Sequence, residues 1–399
     1  MNLQPILILA FTSVFICSAS CMRVDGQPVK QQRPRRVTRG EQTPGNSAKP
    51  GNDEVDEGDV VRVETQLVSV PAVVTNSAGR PVAGLRAESF MLFENGVQQK
   101  ITNFATTEAP FEIALLLDTS GSTRADVSLI RQAANAFIDA LRPGDRVAIV
   151  GFNTARAGQT LAAKVDILSG LTDDRKTLRA AIENLGSSNG TPFYDALERI
   201  ADEVFSEAPR EEVRGRRAIV ALTDGVDSTS DVDFQTVRLK LTRSGVASYF
   251  IQVNTEDFVE DRLLKDCQDD GRLSLSAKQL QRYRQVFFPR AKAEDFVDFC
   301  QMGSFERMQI SRDLYNLARR EMNELAKSSG GRNFLAATLQ DARAAFARVA
   351  TEIGTQYSLG YYPTNKARDG EFRTIRVEVV GVRDKPQVRA REGYYSPKG

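Results

Sequence analysis

The sequence predicts an α/β protein in which a doubly wound, mostly parallel sheet is inserted into a small β-sandwich. Three observations predict this. Between residues 112 and 253, apolar runs alternate with segments of helical spacing. Those runs are continuous, as strands buried on both faces of a parallel sheet require. On either side, residues 60–109 and 354–399 carry short alternating segments punctuated by turn residues, the pattern of antiparallel strands.

The bulk composition is that of an ordinary globular chain. Of 399 residues, 41% are hydrophobic and 26% charged. The 53 basic and 52 acidic residues leave a net charge of +1, which gives no basic face for nucleic acid. Histidine is absent, which removes Ser-His-Asp and Cys-His catalysis and His-ligated zinc. Any metal must then be held mainly by oxygen, which favours a hard cation such as Mg2+, Mn2+ or Ca2+.

The N-terminus reads as an export signal, residues 1–20. Ile6 to Ile16 is an apolar run of signal-peptide length, too short for a membrane span. Ser18-Ala19-Ser20 then leads to Cys21, a lipidation candidate; plain cleavage near Ser20 is the competing reading. The mature chain is therefore expected to be secreted, periplasmic or lipid-anchored. Residues 21–59 are rich in Pro, Gly and charge and are expected to form a solvated linker.

In the first β segment, Val61 to Val74 reads as a strand and Asn76-Ser77-Ala78-Gly79 as a turn. Phe90–Phe93 and Val97–Phe104 are two strands joined by Asn95-Gly96, a strong hairpin signal. The second β segment holds Tyr357–Tyr362, Phe372–Val380 and Val388–Tyr395. Each alone is too small for a good core, so the two are expected to share one sandwich.

Within residues 110–353, buried strands are read at Ile113–Leu117, Arg146–Phe152, Lys164–Leu168, Arg217–Leu222, Val246–Val253 and Arg332–Ala336. Helices are read at Val127–Leu141, Arg175–Leu185, Pro192–Phe205, Phe234–Ser244, Ser311–Lys327 and Leu339–Ile353. Residues 254–309 form an insert, placed to border the strand ends or to be a plain surface elaboration. Cys267 and Cys300 bracket it, as one disulfide or as two free thiols. Arg214, Arg216 and Arg217 are expected in a solvated turn.

Three junctions carry the chemistry. The first strand runs into Asp118-Thr119-Ser120-Gly121-Ser122, where Gly121 is expected to let the loop fold tightly. The fourth runs into Thr223-Asp224-Gly225. Between them Thr191 is placed to cap a helix that Pro192 opens. In a doubly wound sheet all three meet beyond the carboxyl ends of the strands. They offer two carboxylates and three hydroxyls, too few to enclose a hard cation, so an incoming carboxylate could complete the shell.

Asp118-x-Ser120-x-Ser122 with Thr191 and Asp224 resembles the metal-ion-dependent adhesion site of von Willebrand factor type A (vWA) and integrin inserted domains. The resemblance spans about Pro110 to Ile353. It implies a Rossmann-like vWA fold, direct ligation by Ser120, Ser122 and Thr191, and Asp118 and Asp224 acting partly through water. The leading expectation is a protein binder whose partner offers an acidic side chain to the cation, and not an enzyme, since the chain has no histidine and no pair of titratable residues poised as acid and base. The alternatives are a metal-assisted hydrolase and a scaffold with a purely structural cation. The flanking pattern GxPVxGL…F…ENG over Gly79–Gly96, with GYY at Gly360 and Gly393, is similar to vWA-related proteins of soil bacteria.

Overall fold

The computed structural model describes residues 67–106, 108–123, 127–157, 160–213, 215–257, 259–260, 275–290, 302–382 and 385–398. The expected signal, the linker, Cys21, Cys267, Cys300 and Arg214 lie outside the described residues.

Two four-stranded antiparallel sheets are built jointly from the two flanking segments. Strands β1 (Val68–Thr75), β2 (Phe90–Glu94), β3 (Val97–Gln99) and β4 (Ile101–Ala105) come from the first. The second supplies β11 (Tyr357–Tyr361), β12 (Phe372–Val379), β13 (Gln387–Ala390) and β14 (Gly393–Tyr395). The sheet orders are β13-β1-β11-β4 and β14-β12-β2-β3. Val97–Phe104 is thus two strands, because the chain changes sheets at Lys100. Asn95 and Gly96 take φ of 47° and 82°, the left-handed pair that a tight hairpin needs. Val70, Val74, Leu92, Leu359 and Tyr361 fill the interior.

Glu94, 2% exposed, anchors this module. Its Oε2 accepts hydrogen bonds from Tyr361 Oη (2.6 Å) and Tyr394 Oη (2.9 Å), and Arg373 Nη1 lies 3.4 Å from Oε1. The buried charge is therefore paired and hydrogen-bonded, the condition for tolerating it.

The middle of the chain forms a six-stranded sheet of order β10-β9-β8-β5-β6-β7. Its strands are β5 (Glu112–Leu117), β6 (Arg146–Ala157), β7 (Thr160–Thr172), β8 (Arg217–Thr223), β9 (Ala247–Val253) and β10 (Arg332–Ala336). All neighbours pair parallel except β6 and β7, which form a long antiparallel edge. Helices α1 (Val127–Ala140), α2 (Arg175–Glu183) and α7 (Ala342–Gly354) cover one face. Helices α3 (Phe193–Arg199), α4 (Phe234–Ser244) and α6 (Ser304–Ser329) cover the other. The apolar run of β5 follows from this layering: Ile113, Leu115 and Leu117 enter one core, Ala114 and Leu116 the other.

Arg216 and Arg217 are not in a solvated turn. Arg216 is 1% exposed, stacks 4.1 Å over the Phe111 ring and donates to the Ile353 carbonyl; burial lowers its pKa to about 9. Arg217 and Arg146 pair with buried Glu112 at 2.8 and 3.0 Å. A planar guanidinium that can stack on a ring holds Arg216, whose Nε and Nη1 have no hydrogen-bond partner among the described residues, while Glu112 holds the other two.

The insert contributes α5 (Ala277–Phe287), opened by a capping box between Ser276 and Gln279. Helix α6 begins at Ser304, inside the insert and earlier than Ser311.

Candidate functional site

Residues Leu117 and Leu222 pair in register on β5 and β8, so Asp118 and Thr223 emerge side by side from the sheet. The Asp118 amide donates to the Leu222 carbonyl (3.0 Å), and Thr223 Oγ1 donates to Asp118 Oδ2 (2.6 Å). Asp118 Oδ1 accepts from the Ser120 amide (2.9 Å), and Thr123 Oγ1 donates to the Asp118 carbonyl (2.9 Å). Asp118 is wholly buried and folds its own loop back over itself. Gly121 is not among the residues with positive φ; the left-handed glycine here is Gly225, at 77°, packed against Met322.

Asp224 sits beside it, 2% exposed. Its Oδ2 accepts from Ser122 Oγ (2.6 Å) and Thr255 Oγ1 (2.8 Å), and its Oδ1 from the Val226 amide (3.0 Å). Burial, then the proximity of Asp224, push the Asp118 carboxyl up from the usual carboxylate range; burial also raises Asp224. Two acidic groups held this way favour a proton or a cation between them.

Thr191 does not cap α3. Its amide donates to Ser228 Oγ (2.7 Å), and Pro192 holds the cap position. The orphan amide of Tyr194 is satisfied by Asp227 Oδ2 (3.2 Å) and Ser230 Oγ (3.0 Å). The loop after β8 therefore serves as the cap, and Thr191 is left to face the cleft. Gly190 allows this approach, since a Cβ there would lie 2.6 Å from Thr229 Cγ2.

Ser120, Ser122, Thr191 and Asp224 line one cleft of about 180 Å3. Asp118 lies beneath and does not line it. Ser120 Oγ, buried near Asp118, has no hydrogen-bond partner within normal geometry among the described residues. An oxygen-only donor set, an orphaned hydroxyl and two carboxyls strained toward neutrality fit a hard cation. The insert also reaches this cleft: Leu275, Ser276 and Gln279 line it, as do Ser311, Leu314 and Tyr315 of α6.

Sequence reasoning passed over Thr255 and Tyr315. Thr255 stands two residues beyond the end of β9, the same kind of junction that exposed Asp118, and was legible by that rule. Tyr315 sits mid-helix and had no such signal.

The comparisons agree with this architecture. Residues 112–281 match the von Willebrand factor type A domain family. The central domain has the vWA fold.

No curated protein matches the chain in sequence. Among solved structures, a vWA protein from Catenulispora acidiphila is 12% identical over 84% of this chain and 75% of its own, with a TM-score of 0.38. Proximal thread matrix protein 1 of the mussel byssus is also 12% identical, over 61% of this chain, with a TM-score of 0.38. The chain spans 47% of that protein's length. The pilus adhesin SpaC of Lactobacillus rhamnosus GG is 11% identical over 67% of this chain and 33% of its own, with a TM-score of 0.37. No described helix of the vWA-containing chain is long and apolar enough to cross a membrane.

Proposed function

We propose that the protein is an exported, non-enzymatic module that binds a protein partner through a divalent cation at the carboxyl ends of β5 and β8. The observation that carries this reading is the convergence of Ser120, Ser122, Thr191 and Asp224 on one cleft, with the Ser120 hydroxyl buried and unpartnered.

In this reading Ser120, Ser122 and Thr191 hold the ion, Mg2+ or else Mn2+ or Ca2+, and Asp224 and Asp118 stand behind them. A cation so held supplies a positive centre whose incomplete shell an Asp or Glu of the partner completes. Asp118 orients the loop through its bonds to Ser120 and Thr223, and Asp224 orients the Ser122 hydroxyl. The vWA match supports this use of the site. A binder is favoured over a hydrolase because the chain has no histidine and both carboxyls are held by hydrogen bonds within the site rather than poised as an acid and base. Export rests on the apolar run Ile6–Ile16, with lipidation at Cys21 as one form of it.

The test immobilises the full mature chain and measures retention of extracellular and envelope proteins in Mg2+, in EDTA, and with Asp118→Ala. Loss of a retained partner in both latter arms is expected. Retention unchanged by either treatment defeats the proposal. A cation that raises the melting temperature without affecting retention would make its role purely structural.

A further inference from the structure

A second cleft, of about 640 Å3, opens where the β-sandwich meets the vWA domain. Its volume falls within the roughly 300–1,000 Å3 of pockets that enclose a small-molecule ligand. Gly215 and Arg217 place it at the amino end of β8, the opposite end from Asp224. Arg210, Arg217, Arg243 and Arg391 line it, against the single carboxylate of Glu211. Arg217 is paired with Glu112, but Arg210, Arg243 and Arg391 pair with no carboxylate among the described residues. Arg391, 5% exposed, forms the floor, and burial lowers its pKa to about 10. Its Nε, Nη1 and Nη2 donate to the carbonyls of Gly393 (3.0 Å), Ser69 (3.1 Å) and Thr242 (2.5 Å). Those carbonyls fix the guanidinium plane and leave its charge unneutralised, and each terminal nitrogen carries a second N–H. A buried charge in that state is costly until an opposite charge meets it. Gly245 admits the group, since a Cβ there would lie 2.8 Å from Nη1.

We infer that this junction cleft binds a small hydroxylated oxyanion, a sugar acid or a sugar phosphate, with its charged end on Arg210 and Arg243 above Arg391. Arg210 and Arg243 are exposed and open to an entering ligand. Guanidinium forks suit either oxyanion, because a carboxylate and a phosphate both offer two oxygens to paired N–H groups. The sandwich side of the cleft sets the rest of the molecule. Thr102 and Asn103 of β4 are exposed there and uncharged, a hydroxyl and an amide that can both donate and accept. A ligand seated between them and Arg243, which ends α4, touches both domains at once. The site needs no cation and stands independently of the cation-dependent reading above.

The experiment titrates the full mature chain by calorimetry in EDTA, so that no bound cation can hold the anion. The probes are glucuronate, glucose 6-phosphate, glucose and inorganic phosphate. Wild type is compared with Arg210→Gln/Arg243→Gln, whose exposed positions spare the fold, and with Asn103→Ala; thermal melts check that all three are folded. Binding of glucuronate or glucose 6-phosphate is expected, the tighter of the two naming the oxyanion, with none of glucose. The arginine variant should weaken it roughly tenfold or more, and Asn103→Ala about threefold. Failure of both acids to bind, or glucose binding as tightly, overturns the inference. Inorganic phosphate binding as tightly as either acid reduces the cleft to a bare anion sink and overturns the hydroxylated ligand. Unchanged affinity in the arginine variant places any binding outside this cleft.

Discussion

Tyr315 Oη lies 2.7 Å from Thr255 Oγ1, and Thr255 in turn lies 2.8 Å from Asp224 Oδ2. Thr255 has one hydroxyl proton, and the carboxylate can only accept it, so Tyr315 is the donor of the pair. This joins α6, a helix of the opposite wall, to the acidic group behind the cleft. Tyr315→Phe removes one donor and is expected to cost about 1 kcal/mol of stability. Thr255→Val strands the buried Tyr315 hydroxyl and strips Asp224 of a donor, and is expected to cost more, about 1–3 kcal/mol. Urea denaturation in EDTA ranks the two; the reverse order would mean that Thr255 is not the link.

Ser120→Ala separates the two states of the site. In chelator it deletes an unpartnered buried hydroxyl, so the variant is expected to be at least as stable as wild type. In cation at about 100 times the dissociation constant, wild type gains about 2.7 kcal/mol and the variant gains less. Thermal melts with and without Mn2+ should therefore cross. Parallel shifts in the two proteins would show that Ser120 does not meet the ion.

Asp227 gives a pH signature. Burial pushes its carboxyl up to about 6, against the hydrogen bond from Ser230. The folded chain therefore keeps a proton that the unfolded chain, with a carboxyl near 4, has released. Stability from this group is fully present below about pH 4, falls as pH rises to about 6, and is flat above. The total is about 3 kcal/mol. Asp227→Asn should reduce, and not abolish, the fall in stability measured in EDTA from pH 4 to pH 7, since Asp118, raised to about 7, titrates in the same window. An undiminished slope in the variant would place the titration elsewhere.

Glu94 tests the β-sandwich. Glu94→Ala leaves Arg373, 3% exposed, with only the more distant Asp369 carboxylate (3.8 Å) and frees two buried tyrosine hydroxyls. A loss of about 3–5 kcal/mol is expected, and a smaller one for Glu94→Gln, which keeps an acceptor. Denaturant midpoints decide it, and a loss below about 1 kcal/mol would show the cluster to be dispensable.

Much of this architecture could be read from residues alone. Phe234–Ser244 and Arg332–Ala336 are found with their observed bounds, because Gly245 and the Gly330-Gly331 pair punctuate them. The strand ends at Leu117 and near Leu222 put Asp118 and Asp224 together, since a parallel register leaves them nowhere else to go. What failed depends on distant contacts. Pro192 suggested that Thr191 caps α3, but the cap comes from Asp227 and Ser230, more than thirty residues on. Helical spacing starts α6 only at Ser311, because Phe305, 81% exposed, lies off the apolar stripe that periodicity follows. Arg216 looked solvated because charge is a poor guide where an aromatic ring waits to receive it.

The chain leaves the sandwich at the end of β4 and returns at the start of β11, and these strands lie side by side with Ala105 opposite Ser358. That crossing is not the sole join: beyond β13, Glu392 pairs with Lys327 (2.9 Å), its amide donates to the Ser328 carbonyl (3.1 Å), and Arg391 Nη2 donates to the Thr242 carbonyl (2.5 Å). Tension drawn through the flanking strands therefore reaches the C-terminal ends of α4 and α6 as well. Those ends lie at the start of β9 and β10, so the load enters the six-stranded sheet at the strand ends opposite those where Asp118 and Asp224 emerge.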